Sequence, residues 1–246
     1  MSTVRSFAAS DRGLVRSENE DSYVLHIPDD AGILQRKGIL AVVADGVGGG
    51  PAGKLASSMA VEIVKDLYYR LTGEDNSASL RESLQIANTE IYKAAQQNLR
   101  LREMATTCTA FVLRNGEGFM CHAGDSRAYL FRKKVLIQIS EDHTLVNQLV
   151  KEGIISPEEG RKHPQRNIIL RALGTARHVE PDLRRVDVEE NDTLLLCSDG
   201  LHGYVSDEEI SSLLLTNPVE EAGRKLIGLS LAKGGPDNIT VLLLNV

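Results

Sequence analysis

Two spacings of apolar residues alternate along the chain. Residues 39–44 (ILAVVA) form an unbroken apolar run between Gly38 and Gly46. A short, valine-rich run bounded by glycine predicts a strand buried on both faces. The spacing then becomes helical. Leu55, Met59, Val61, Ile63, Val64, Leu67 and Leu71 predict a helix over 55–71, introduced by Pro51 and Gly53 and ended by Gly73. Leu84, Ile86, Ala87, Ile91, Ala94, Ala95 and Leu99 mark the buried side of a second helix over 80–101. After that come short β-rich runs at 106–114, 118–123, 128–132 and 135–139. Asn115-Gly116, Gly124-Asp125-Ser126 and Lys133-Lys134 separate them, as in an antiparallel meander.

The two ends follow the same grammar. Residues 3–9 and 22–27 predict strands, with Ser10-Asp11-Arg12-Gly13 as a turn and Pro28-Asp29-Asp30 with Gly32 as a loop. Residues 140–175 break the β pattern. They are polar, helical over 144–152 and 157–161, and predict a surface flap. Strands resume at 183–188 and 193–198. Ser206, with Glu209 three residues on, forms a capping box for a helix over 206–215. A helix over 219–232 and a strand over 238–246 close the chain. Strands, helices and strands without strict βαβ alternation predict an α+β fold of antiparallel sheets with helices packed outside.

Composition narrows the function. The chain has 246 residues, 42% hydrophobic and 25% charged, as in ordinary globular proteins. A net charge of −6 disfavours nucleic acid and anionic membrane as partners, and the absence of tryptophan weakens base stacking. No apolar stretch approaches the ~18–20 residues of a membrane span, and residues 1–13 lack a signal-peptide core, so a cytoplasmic location is expected. Cys108, Cys121 and Cys197 lie inside strand-like runs and read as buried thiols.

The chemistry lies where strands end. Asp45-Gly46 closes the first buried run, and Ser198-Asp199-Gly200 closes another in the same way. Gly124-Asp125 follows residues 118–123, Asp237 precedes residues 239–244, and Glu20-Asp21 precedes residues 22–27. One such aspartate is a turn residue. Several brought together would repel one another and have to protonate unless cations compensate them. An all-oxygen set selects hard divalent ions, Mg²⁺, Mn²⁺ or Ca²⁺, over Zn²⁺. Arg16, in the acidic group before residue 22, is either a surface ion pair or a guanidinium fork for a phosphate. Metals with a phosphate-binding arginine suggest phosphate-ester hydrolysis.

The segments GLVRSENED, VVADGVGGGPAG, ATTCTA, CHAGDSRAYL, EDHTLVNQLV, HPQRNIILRALG, LLLCSDGL and GGPDNITVLLL, in this order, resemble the metal-dependent serine/threonine phosphatases of the protein phosphatase 2C family, in its compact bacterial form. The resemblance spans essentially the whole chain. It implies a four-layer αββα sandwich of two antiparallel sheets flanked by helices, as one catalytic domain over 1–246 with a flap at about 140–175. It also implies two Mn²⁺ or Mg²⁺ ions, with a third, weaker position. By motif position Asp45 would bridge the metals and the Gly46 carbonyl would bind one of them. Asp199 and Asp237 would complete the other, Asp125 with Asp199 would hold the third, and Glu20 and Asp21 would hold metal-bound waters. Arg16 would bind the phosphate.

On this resemblance a metal-bridging water attacks phosphoserine or phosphothreonine, reversing a serine/threonine kinase. The implied partners are phosphorylated proteins, including such a kinase, for a monomeric enzyme. The alternative is a catalytically inactive or single-substrate module that binds a phosphoprotein on the same fold. Val47 stands where animal members carry a histidine proposed as general acid, which leaves that role to metal-bound water. Gly50 stands where many bacterial members carry histidine. His143 reads in two ways: as a hydrogen-bonding anchor at the base of the flap, or as a proton donor to the leaving group. His122 reads as a core or cross-strand residue.

Overall fold

In the computed structural model, which describes residues 4–47, 51–73 and 75–246, the run at 39–44 is buried on both faces because it lies between a helix layer and a second sheet. This strand, β3, covers Ile39–Val47. Leu40, Val42 and Ala44 face helices α2 (Pro51–Arg70) and α3 (Asn76–Gln97), where they pack with Val64, Leu84 and Ile91. Ile39, Ala41 and Val43 face the other sheet and meet Leu194, Leu196, Leu242 and Leu244. A strand covered on both sides has no reason to alternate polar and apolar residues.

β3 sits in a sheet ordered β2-β3-β5-β6-β9, with β2 at Asp21–His26, β5 at Cys108–Arg114, β6 at Glu117–Ala123 and β9 at Asp182–Asp187. The second sheet is ordered β1-β11-β10-β7-β8. It comprises β1 (Arg5–Asp11), β7 (Arg127–Arg132), β8 (Val135–Gln138), β10 (Thr193–Cys197) and β11 (Ile239–Asn245). All pairings are antiparallel. The outer face of the second sheet is covered by helices α6 (Asp199–His202), α7 (Asp207–Thr216) and α8 (Val219–Ala232), through Leu201, Ile210, Ala222 and Leu226. The result is the αββα sandwich, with an apolar core in each of its three interlayer spaces. Cys108, Cys121 and Cys197 are buried free thiols.

Several sequence expectations change. The meander is broken at Gly124-Asp125-Ser126, where the chain leaves one sheet for the other, so β6 and β7 are not neighbours. Residues 28–32 are not all loop. Asp30 accepts a hydrogen bond from the Ile33 amide at 2.7 Å and caps helix α1, Ala31–Lys37. β1 runs on to Asp11, through the expected turn, because Ser10 and Asp11 pair with Thr240 and Ile239. The second helix stops at Gln97, with one 3-10 turn after it at Leu99–Leu101. Thr144 caps α4 (Leu145–Lys151), and Ser156 caps α5 (Pro157–Lys162) with a full capping box, as Ser206 does for α7. Thr3 and the glycines Gly48, Gly49 and Gly50 lie outside the described residues.

Candidate active site

Asp45-Gly46 is not a turn. β3 continues through both residues, changing partner so that Gly46 and Val47 pair with β4, the two-residue strand Ala105–Thr106. Gly46 has no positive φ to require glycine. Its hydrogen side chain is needed for close approach: a Cβ there would lie 2.4 Å from the carbonyl carbon of Gly53 and 2.8 Å from the Glu20 carbonyl oxygen. Gly53 faces Gly46 across the same gap: a Cβ there would lie 3.0 Å from the Gly46 carbonyl carbon and would displace the Glu20 carboxylate, whose Oε2 stands 2.2 Å away. The start of α2 is thereby pressed against the end of β3, with the Glu20 carboxylate in the same cleft.

Asp21 lies directly opposite Asp45 across the β2–β3 pair. Its Oδ2 accepts from Ser198 Oγ at 2.7 Å and Thr240 Oγ1 at 2.6 Å. Asp199 opens α6 directly after Ser198, and its charge bears on Asp45. Asp125 is buried in the β6–β7 crossing, and Asp237 precedes β11. Burial raises the pKa of Asp45 well above the carboxylate range, and Asp21, Asp199, Asp125 and Asp237 each push it further. Burial likewise pushes Asp21 up to about 7, Asp199 to about 6 and Asp125 to about 8. The structure thus brings together all five aspartates singled out in the sequence.

Arg16 reaches this cluster from the other side. Its Nη2 donates to Asp237 Oδ2 at 2.7 Å, while nearly half of its side chain stays exposed. Asp237, with Glu20 and Asp45 behind it, raises the guanidinium pKa still further.

Among the described residues no three His, Cys, Asp or Glu side chains are drawn into one coordinating group. The fit to a cation rests on other grounds. Asp21 Oδ1 and Asp199 Oδ1 are buried without a hydrogen-bond partner. Interior carboxylate oxygens left so are costly, and a hard cation satisfies them. The donors are all oxygens, which suits Mg²⁺ or Mn²⁺.

Sequence reasoning missed the residues that hold the cluster in place. Asn238 takes the Glu20 amide on Oδ1 at 2.8 Å and gives Nδ2 to the carbonyls of Arg12 at 2.8 Å and Glu18 at 3.0 Å, tying the loop of Arg16 to β11. Thr107 Oγ1 accepts from the Asp45 amide at 2.9 Å and is hydrogen-bonded to Ser126 Oγ, 2.7 Å away. Asp45 is thus linked to the residue after Asp125. The only sequence signal was adjacency, since Asn238, Ser198 and Ser126 each neighbour a singled-out aspartate.

His143 directly precedes Thr144, the cap of α4. Its amide donates to the Gly124 carbonyl at 2.8 Å, and the Gly124 amide donates to its Nδ1 at 3.1 Å. The ring proton is therefore on Nε2, 3.2 Å from Asp182 Oδ2, and Arg171 binds Asp182 Oδ1 at 2.6 Å. Both ring nitrogens are engaged. His122 is buried and stacks on His143 with ring centroids 4.9 Å apart.

Residues 17–226 match the family model described as Protein phosphatase 2C. The chain is 42% identical over 243 residues to the serine/threonine protein phosphatase PstP of Mycobacterium tuberculosis, covering 99% of this chain and 45% of that protein. It therefore spans less than half the length of that relative. It is 39% identical to the serine/threonine phosphatase stp of Listeria monocytogenes, covering 95% of this chain and 92% of that one. The crystal structure of the PstP catalytic domain in complex with two manganese ions superposes with a TM-score of 0.85 at 38% identity, covering 98% of this chain and 97% of the other. Matched over most of its length in both sequence and fold, the chain belongs to the protein phosphatase 2C family.

Proposed function

We propose that this chain, acting as one catalytic domain over residues 1–246, is a metal-dependent phosphatase of phosphoserine and phosphothreonine in proteins. The observation that carries the reading is the convergence of Asp21, Asp45, Asp125, Asp199 and Asp237, with two orphaned buried oxygens, beside the half-exposed Arg16. Asp45, the Gly46 carbonyl, Asp199 and Asp237 would hold two Mn²⁺ or Mg²⁺ ions, Asp125 with Asp199 a third, and Glu20 and Asp21 would orient water. The two manganese ions in the related PstP structure support this count. Bound there, divalent ions would keep the carboxylates ionised and bring the pKa of an attacking water toward neutrality.

The remaining steps fall to the chain itself. Arg16 would leave Asp237 to fork two phosphate oxygens, holding phosphorus in line with the nucleophile. The Asp21 carboxylate, held by Ser198 and Thr240, stays oriented throughout. Val47 cannot donate a proton and both nitrogens of His143 are engaged, so His143 serves as the anchor of the flap base rather than as general acid. Phosphoprotein substrates require a serine/threonine kinase to make them, and we infer such a kinase as the opposing activity. Among the described residues no helix is long and apolar enough to cross a membrane.

The test is phosphate release from a phosphoserine peptide by the purified protein with Mn²⁺. Asp45→Ala and Asp237→Ala should abolish it. Turnover that survives exhaustive chelation overturns the proposal.

A further inference from the structure

Helix α6 is short, yet it is fixed at several points. Gly200 lies so close to β11 that a Cβ would stand 1.9 Å from the Asn238 carbonyl oxygen. The Gly200 carbonyl accepts from Ser230 Oγ of α8 at 2.6 Å, and Leu201 is fully buried. The helix begins with Asp199 and ends with His202. His202 Nε2 lies 2.9 Å from the Asp125 backbone oxygen, and since a carbonyl only accepts, the imidazole donates. The residue before Asp125 is gripped from the flap side by His143, through both the Gly124 amide and its carbonyl. Asp199 is the foremost charged neighbour of the Asp125 carboxyl.

We infer that His202 is a positioning residue for cation binding: one rigid helical turn carries Asp199 at one end and, through the His202 Nε2–H, holds the Asp125 backbone at the other. The inference rests on the metal-centred reading above and assigns this imidazole a role in it. The Asp199–Asp125 separation is then set by the length of α6. His202 touches neither substrate nor cation. Its effect runs through the backbone of Asp125, as outer partners of metal ligands generally act.

The test is Mn²⁺ titration of the full chain by calorimetry without substrate, alongside thermal unfolding. His202→Ala should weaken the weakest Mn²⁺ step about tenfold. His202→Gln, whose amide nitrogen can donate from nearly the same place, should restore it to within about twofold of the parent. Asp125→Asn is the control and should remove that step. If Asp125→Asn leaves the isotherm unchanged, Asp125 holds no cation and both this role and the third position fail. If Asp125→Asn removes the step but His202→Ala binds as the parent does, the positioning role alone is overturned. Equal weakening in the Ala and Gln variants with a parallel loss of thermal stability also overturns it, because general packing would then account for the effect.

Discussion

Arg16 and Asp237 hold each other, Nη2 to Oδ2 at 2.7 Å, although 221 residues separate them. The contact joins the residue proposed to bind phosphate to one proposed to bind a cation. While the pair is closed, one arm of the guanidinium and one oxygen of the carboxylate are committed to each other. Cation binding at Asp237 would release the guanidinium toward the cleft, so the two binding events should be linked.

Removing the arginine should therefore separate the two functions. A charge-assisted hydrogen bond is worth roughly 1.5–3 kcal/mol, which is about ten- to a hundredfold in kcat/KM for a phosphopeptide. Arg16→Ala should lose that much, and Arg16→Lys somewhat less, since lysine keeps the charge and loses the fork. Mn²⁺ affinity should be unchanged or tighter, because Asp237 loses its competitor. Steady-state kinetics paired with a Mn²⁺ isotherm checks this. Weaker Mn²⁺ binding in Arg16→Ala would show that the ion pair supports the metal site instead of competing with it.

Metal removal should leave a protein that dislikes alkali. Burial and mutual repulsion raise the folded-state pKa of Asp199 to about 6, of Asp21 to about 7 and of Asp125 to about 8. An unfolded aspartate titrates near 3.9. Each raised group lends stability that is complete below about 4 and lost as pH climbs through its folded value. Metal-free protein should thus unfold at progressively lower temperature between about pH 6.5 and 8, as Asp21 and then Asp125 ionise, Asp199 having done so below that range. Added Mn²⁺ should reverse this, and more strongly at the higher pH, since cation and proton compete for the same oxygens. Melting curves in chelator and in Mn²⁺ across this range decide it. A flat metal-free profile would mean that the carboxylates are not forced together.

The sequence shows the aspartates but not what holds them. Each stands where an apolar run stops, and that boundary is visible in one dimension. The double burial of β3, β10 and β11 is also visible, as runs without alternation. Sheet membership is not. A break such as Gly124-Asp125-Ser126 looks the same whether the next strand folds back or crosses to the other sheet, and here it crosses. Helix α1 was hidden because Asp30 and Gly32 are turn residues by composition. The cap is a local bond from the Ile33 amide to Asp30, while the seat of Lys37 over the Tyr68 ring is a tertiary contact. Gly46 likewise needs to be glycine because of Gly53 and Glu20, contacts that the local sequence cannot display.

Asn238 should matter about as much as the aspartate before it. Its amide closes three hydrogen bonds between the loop that carries Arg16 and Glu20 and the start of β11. Asn238→Ala strands a buried amide and loosens that loop, at a cost of about 2–4 kcal/mol in stability. Asn238→Asp keeps the acceptor for the Glu20 amide but sets a carboxylate against two carbonyls beside Asp237, so it should lose more at neutral pH than Ala does. Urea unfolding of both variants tests the order. An Asp variant as stable as the parent would show that the two carbonyl contacts contribute nothing.

His122 should set part of the acid limit of the fold. Its Nε2 lies 3.0 Å from the Glu141 carbonyl oxygen and so carries the proton. Its Nδ1 faces Thr109 Oγ1 at 2.9 Å, whose single proton is also claimed by the Ser126 carbonyl oxygen at 2.8 Å. A second ring proton would relieve that conflict, yet burial and the neighbouring His143 oppose the charge and push the pKa down to about 4. The unfolded ring titrates near 6.5. The neutral buried ring therefore contributes stability that is intact above about 6.5 and is lost as pH falls toward 4. His122→Gln cannot titrate, while its amide nitrogen can still donate to Glu141. The parent should thus be the more stable of the two near pH 7, and that advantage should shrink by about 1–2 kcal/mol between pH 6.5 and 5. His202 and the acidic cluster are common to both proteins, so their own titrations cancel in the comparison. Urea unfolding at matched Mn²⁺ measures the difference. A parent-minus-variant stability that stays constant across this range would place the folded-state pKa of His122 at its unfolded value, and the hydroxyl conflict at Thr109 would then be resolved by protonating the ring.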